Sequence, residues 1–221
     1  FQRIQSVFIL FYQIKNMRGK YIVLEGIDGS GKSTQAKKLA RYLSNSILTR
    51  EPTDYGTGKL IRQVLMEYNL NDKKAEGERE TLLFFADRID HHDLLIKPSI
   101  IKGKNIISDR SYHSTLAYEG ALKVDTDFII DLRNRYVNRG FIKKPDLTLI
   151  VDLPVNVAIE RMASKTKEKF EVRDFLEKIR KIYLNMSDYF DDENIILING
   201  DADEKTVYRD IRNTVRKELR I

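Results

Sequence analysis

Eight residues, Gly26–Ser33 (G-I-D-G-S-G-K-S), constrain this chain more than any other stretch. An apolar run, Tyr21-Ile22-Val23-Leu24, precedes them, and a helix-patterned segment from Lys32 to Leu43 follows. Their spacing is G-x-x-x-x-G-K-[ST], which cradles phosphate when it joins a strand to a helix. Gly26, Gly29 and Gly31 free the backbone to curl so that several N–H groups face one anion. The following helix adds unpaired N–H groups and the positive end of its dipole. The stretch Gly26-Ile27-Asp28-Gly29-Ser30-Gly31-Lys32-Ser33-Thr34 is therefore the candidate site for a nucleoside triphosphate. In such a loop the lysine, Lys32, reaches the β/γ-phosphates, and the Ser33 hydroxyl can ligate Mg²⁺.

The chain has 221 residues, of which 42% are hydrophobic and 33% charged, enough for one domain with a sizeable core. It contains no cysteine, which excludes disulfides and thiol chemistry and fits a cytoplasmic enzyme. A net charge of +6 suits either a nucleic-acid binder or an enzyme for polyanionic small molecules. Its basic residues are spread along amphipathic helices, which favours small nucleotides over nucleic acid. Residues 1–16 read as an N-terminal extension, with the working domain beginning near Met17. Their apolar run, Val7–Tyr12, is too short to span a bilayer, so no membrane association is expected.

Along the domain, strands alternate with helices. The pattern predicts strands at 20–26, Ile47–Arg50, Asn105–Ser108, Leu147–Leu153 and Ile195–Ile198. Helices are predicted over 32–44, 59–67, 78–97, 112–119, 125–138 and 154–163, from Glu171 onward, and over the amphipathic C-terminal segment. Asn69–Gly77 reads as a polar connection, Pro98 as a kink or end, and Gly120 as a helix stop. The result is an α/β three-layer sandwich: a five-stranded parallel sheet with helices on both faces. Asp109, at the end of an apolar strand, is placed to hold Mg²⁺ through water, and Arg110 faces the same crevice. An ordinary strand-end ion pair is the alternative reading of those two. His91 and His92 lack a third ligand at useful spacing and read as helix surface or a dimer contact.

Six stretches occur in an order that resembles the thymidylate kinase family: E-G-I-D-G-S-G-K-S-T-Q (Glu25–Gln35), T-R-E-P (Thr49–Pro52), T-G-x-x-I-R (Thr57–Arg62), L-L-F-F-A-D-R (Leu82–Arg88), S-D-R-S-Y-H-S-T-L-A-Y-E-G (Ser108–Gly120) and P-D-L-T-L-x-V-D-L-P (Pro145–Pro154). The resemblance covers 18–221. It implies a P-loop kinase fold and phosphoryl transfer from ATP, with Mg²⁺, to dTMP. It implies Lys32, Asp28 and Arg110 as the catalytic set, with Asp28 near the acceptor sugar. Arg62, Arg88 and Arg110 would converge on the acceptor phosphate, Phe84 would stack on thymine, and Ser114 and Thr115 would bond the base. Tyr118 would crowd the 2′ position, and Glu51 would line the cavity. Family members are usually homodimers, and the helices over 59–67 and 78–97 offer candidate faces.

The sequence departs from the family in three places. Ser111 replaces a common ring, and Gly29 stands where one branch carries an arginine. Glu119 stands where a glutamine is often found, and a carboxylate can accept from thymine N3–H but cannot donate to a carbonyl. Positive charge would come instead from a lid near 164–171, with Arg161, Lys165, Lys167, Lys169 and Arg173 as candidates and Lys165 and Lys167 the expected ATP contacts. Another P-loop nucleotide kinase, or an NTP-binding regulator, are the competing readings.

Overall fold

A computed structural model describes residues 19–67, 72–162 and 169–221. Residues 1–16 and the expected ATP contacts Lys165 and Lys167 lie outside the described residues.

The chain runs β1 (Tyr21–Glu25), α1 (Lys32–Tyr42), β2 (Ser46–Arg50), α2 (Gly56–Glu67) and α3 (Lys73–His91). A π-helical turn (His92–Ile96) leads into α4 (Lys97–Ile101), β3 (Asn105–Asp109), α5 (Tyr112–Ala121) and α6 (Thr126–Asn138). Then follow β4 (Leu147–Asp152), α7 (Val155–Met162), α8 (Lys169–Leu184), α9 (Met186–Tyr189), β5 (Ile195–Asn199) and α10 (Glu204–Leu219). The five strands form one parallel sheet in the order β2-β3-β1-β4-β5. β1, at its centre, is buried along its whole length, as a strand covered on both faces must be.

Successive side chains of β1 point to opposite faces. Ile22 and Leu24 pack with Ala36 and Leu39 of α1 and with Val207, Ile211 and Val215 of α10. Tyr21 and Val23 pack on the other face with Ile96, Ile100 and Ile106. A third cluster joins Ile150 to Leu116, Ile129, Leu176, Ile179 and Tyr183 beneath α5, α6 and α8. The predicted sandwich is the observed architecture. Strand order reverses at β1, so the crevice outside its carboxyl end is the natural ligand site.

Four local expectations are corrected. The polar connection read over Asn69–Gly77 is helical from Lys73, because the Asp72 carboxylate caps the helix by accepting from the N–H groups of Lys74 and Ala75. Gly120 does not stop α5, which runs on to Ala121. A Cβ at Gly120 would stand 3.3 Å from Ile182 Cδ1, so this glycine lets α8 pack close. Pro98 does not end the helical run. It sits in the first turn of α4, and the wider turn at His92–Ile96 precedes it. The helix expected from Glu171 begins at Lys169.

Candidate functional site

The loop from Gly26 to Lys32 joins β1 to α1 at the switch point. Gly26, Gly29 and Gly31 all adopt positive φ, at 141°, 82° and 84°. A Cβ at Gly26 would lie 2.6 Å from the Val151 carbonyl oxygen, and one at Gly29 would lie 2.5 Å from that of Ala158. Side chains there would push the loop off β4 and α7. Ile27 is buried and offers its carbonyl to Lys32 Nζ at 3.2 Å, so only its backbone is left for a ligand. Lys32 Nζ also lies 3.5 Å from Asp28 Oδ1. Burial lowers the lysine's proton affinity, and the neighbouring Arg110 lowers it further.

Two cavities flank this loop. Ser33 shares one with Asp109, together with Lys37, Thr49 and Asp54. Asp109 Oδ1 is buried without a hydrogen-bond partner, and a hard cation or its water suits such an oxygen. Among the described residues no group of three or more His, Asp or Glu could hold a metal ion. The second cavity has Ser30, Gly31 and Thr34 on one side and Gly200, Ala202 and Asp203 on the other. Arg161 lines it and donates to the Gly200 carbonyl at 3.1 Å. Motif reading missed the 200–207 side of this cavity, which has no pattern of its own. The Ser30 hydroxyl is buried without a partner.

On the far side of Arg110 lies a cavity of about 320 Å³. Glu51, Phe84, Arg88, Arg110, Ser114, Thr115, Tyr118 and Glu119, all named from the sequence, line it. Glu80, Phe84 and Arg88 form a stripe at spacing four on α3. Ser114, Thr115, Tyr118 and Glu119 form one at spacing three and four along α5, and Leu122, just past its end, continues it. Leu65, Leu122 and Phe175 complete the apolar wall without any motif signal.

Arg110 ties the two halves together. Its Nη2 donates to Asp28 Oδ1 at 2.5 Å and to the Tyr118 hydroxyl at 3.0 Å, and its Nη1 donates to Ser114 Oγ at 2.9 Å. The guanidinium lies 4.8 Å over the Tyr118 ring. Arg110 has φ 79°, a left-handed conformation that costs a non-glycine residue about 1–3 kcal/mol. The turn it makes sends the side chain back over the loop. Burial raises the Asp28 carboxyl, but Arg110 and Lys32 outweigh burial and hold it below the ordinary carboxylate range.

Behind Arg110 stands a group the sequence reading did not assign. Glu25, fully buried at the end of β1, accepts from the Ser111 N–H at 2.7 Å, the Ser114 hydroxyl at 2.6 Å and the Tyr183 hydroxyl at 2.9 Å. The signal was available: a carboxylate closing an otherwise apolar strand needs partners. The Ser114 hydroxyl proton is thus committed to Glu25, so Ser114 orients Arg110 and has none left for a ring acceptor.

Arg88 is held differently. It is 1% exposed, its Nε donates to Glu51 Oε2 at 2.8 Å, and its Nη2 donates to Thr115 Oγ1 at 3.2 Å. Its Nη1 is buried without a partner. Burial raises the Glu51 carboxyl, but Arg88 and His91 outweigh burial and bring it to about 2. His91 and His92 are therefore misread as surface: both are fully buried. His91 Nδ1 lies 3.0 Å from Glu51 Oε1 and its Nε2 lies 2.8 Å from Thr49 Oγ1. An ionised carboxylate only accepts, so Nδ1 carries the proton. His92 Nδ1 accepts from the Lys143 N–H at 3.1 Å. Thr49 and Glu51 cover His91, and Tyr21 and Lys143 cover His92, partners that periodicity alone did not reveal.

Arg62 does not join Arg88 and Arg110 on the wall of this cavity. It donates to the carbonyls of Pro52, Thr53 and Gly58, and Asp54 lies 3.3 Å away. Its guanidinium organises the 52–58 loop, and Pro52 in turn lines the cavity.

The family model described as thymidylate kinase matches residues 24–211. A probable thymidylate kinase of Thermococcus kodakarensis is 44% identical over 201 residues, covering 86% of this chain and 94% of that protein. A thymidylate kinase of Brachyspira hyodysenteriae is 36% identical over 207 residues, covering 91% and 95%. The crystal structure of thymidylate kinase from Ehrlichia chaffeensis superposes with a TM-score of 0.69 at 27% identity, covering 90% of this chain and 99% of that one. With a glycine-rich loop and a side-chain cavity meeting at Arg110, the chain belongs to the thymidylate kinase family.

Proposed function

We propose that this enzyme transfers the γ-phosphoryl group of ATP to the phosphate of dTMP, giving dTDP and ADP, and that Lys32, Asp28 and Arg110 form the catalytic set. The observation that carries the reading is the Asp28–Arg110 contact, because it joins the donor loop to the wall of the acceptor cavity. The acceptor oxygen attacks phosphorus as the bond to the β-phosphate oxygen breaks, and the leaving group stays on the loop. Such chemistry needs positioning and charge neutralisation more than covalent help.

Backbone N–H groups of Gly26–Thr34 hold the donor phosphates while Lys32 reaches the transferred group. Arg110 grips the acceptor phosphate, its fork set by Ser114 and Tyr118. Arg88 plays another part. Glu51 neutralises its charge, and its unpartnered Nη1 suits a carbonyl of a ring stacked on Phe84 better than a phosphate dianion. Thr115 keeps a hydroxyl proton to offer the same ring, and Tyr118 crowds the sugar 2′ position. Mg²⁺ would be held by Ser33 and, through water, by Asp109, and it would neutralise charge between the β- and γ-phosphates. The adenine end fits the cavity lined by Arg161 and Gly200. Lys165 and Lys167 remain our candidates for a lid over ATP.

A homodimer is the proposed assembly, supported by Leu60, Met66 and Leu82, large apolar side chains left exposed on α2 and α3. Light scattering checks it. The cytoplasm is the proposed compartment, as a cysteine-free nucleotide enzyme fits. Among the described residues no helix is long and apolar enough to cross a membrane. Phosphorylation assays over dTMP, dUMP, dCMP, AMP and thymidine test the function. Preference for dTMP supports it, and equal turnover of the others overturns the substrate assignment.

A further inference from the structure

The acceptor cavity has two chemically different ends. At one, Arg88 meets Thr115 across α3 and α5. Two helical turns back along α3, about 12 Å, stands Glu80. There α3 and α5 approach closely: a Cβ on Gly77 would lie 2.4 Å from Val124 and 3.1 Å from Glu119 Oε2. Glycine at 77 therefore lets Glu119 sink against α3. Glu119 is 3% exposed, it lines the cavity, and its Oε2 has no hydrogen-bond partner.

The groups around it come from four segments. From α3 come Glu76, Glu80 and Arg79, whose guanidinium lies 3.9 Å from Glu76 and 3.5 Å from Glu80. Its own helix contributes Thr115 and Tyr118, α8 contributes Phe175, and the chain after α5 contributes Leu122 and Val124. Arg88 and Arg110 line the same cavity but bond to Glu51 and Thr115, and to Asp28, Ser114 and Tyr118. A buried carboxyl beside two others keeps its proton more readily than it ionises. Burial first, then Glu80 and Glu76, raise Glu119 to about 8.

We propose that Glu119 meets the acceptor nucleotide as a neutral carboxylic acid and donates a hydrogen bond to a carbonyl oxygen of the pyrimidine ring, acting as a specificity-determining residue. The inference rests on the kinase reading above. An ionised carboxylate offers only acceptors, whereas the acid offers one O–H and one C=O. That pair has the hydrogen-bonding character of a primary amide, and it complements the adjacent C=O and N–H groups of thymine. Glutamate can thus do here what glutamine does, but only while it holds its proton. The proton stays on Glu119 throughout, and no bond to it is made or broken.

The test measures dTMP affinity by calorimetry at pH 7 and pH 9 for the wild type, Glu119→Gln and Glu119→Ala. Wild-type affinity is expected to weaken about tenfold between these values, one pH unit above the titration. Glu119→Gln rescues binding at both pH values, with little change between them, and Glu119→Ala binds weakly at both. Parallel weakening of the wild type and Glu119→Gln overturns the proposal. A second readout needs no ligand. A carboxyl raised on folding contributes stability that is full below its unfolded value, near 4.5, and is lost as pH rises through about 8. Glu119→Gln should therefore melt above the wild type at pH 8, with the gap closing at pH 4. A gap independent of pH overturns the proposal. A wild-type chain that leaves dTMP unphosphorylated overturns the kinase reading instead, and the melting comparison still decides where the proton sits.

Discussion

The donor loop and the acceptor cavity lie side by side and are built on opposite principles. The loop is one contiguous stretch whose ligand-facing groups are mainly main-chain N–H, and three positive-φ glycines shape it. The cavity is made of side chains, from Glu51 to Phe175, that meet only when β2, α3, α5 and α8 pack together. The loop needs close backbone contact with β4 and α7. The cavity needs a buried polar scaffold: Glu25 under Ser111 and Ser114, and Glu51 between Arg88 and His91. Main-chain sites are specified by where side chains are absent. Side-chain sites are specified by which partners hold each charged group.

That contrast can be broken most forcefully at Glu51. Glu51→Gln leaves the buried Arg88 guanidinium without its counter-charge and should cost about 3–5 kcal/mol of stability, read by urea unfolding at pH 7. The sign with pH follows from the carboxyl's value of about 2, lower than its ordinary 4.5. The stabilisation is present above the unfolded value and fades as pH falls through about 2. The gap between wild type and variant should therefore hold from pH 7 to 5 and narrow toward pH 2. A gap that does not change with pH removes the ion pair from the account.

Arg110→Ala comes next. It should lower kcat/KM for dTMP by about 2–4 kcal/mol, the scale of one lost charge-stabilising donor. ATP affinity measured without acceptor should change far less, since on our reading the donor rests on main-chain amides of the loop. Near-normal turnover would refute the clamp, and an equal loss in ATP affinity would erase the division between the two halves. Phe84→Leu is the mildest. It should raise KM for dTMP by about 0.5–1.5 kcal/mol with kcat kept, because only ring stacking is lost. No change would leave Phe84 as plain wall.

Much of the fold was legible because its signals are local. Continuous apolar runs marked strands buried on both faces, and the period of Val207, Ile211 and Val215 marked α10. Errors fell where a local signal had a distant cause. Gly120 looked like a helix stop until Ile182 of α8 gave a reason for its missing side chain. The two histidines looked superficial until Glu51 and the Lys143 N–H arrived as partners. Arg62 carried a motif position, yet its guanidinium went to the carbonyls of its own loop.

By itself the sequence determined the phosphate loop, the alternation of strands and helices, and the family, since each is written in adjacent residues and their spacing. Only the tertiary structure decided which arginines line the cavity beside the loop, that Glu25 holds the serine on which Arg110 rests, and that Glu119 sinks beside Glu76 and Glu80. The physical reason is that burial and neighbouring charge set what an ionisable side chain can do, and both come from segments far apart in the chain.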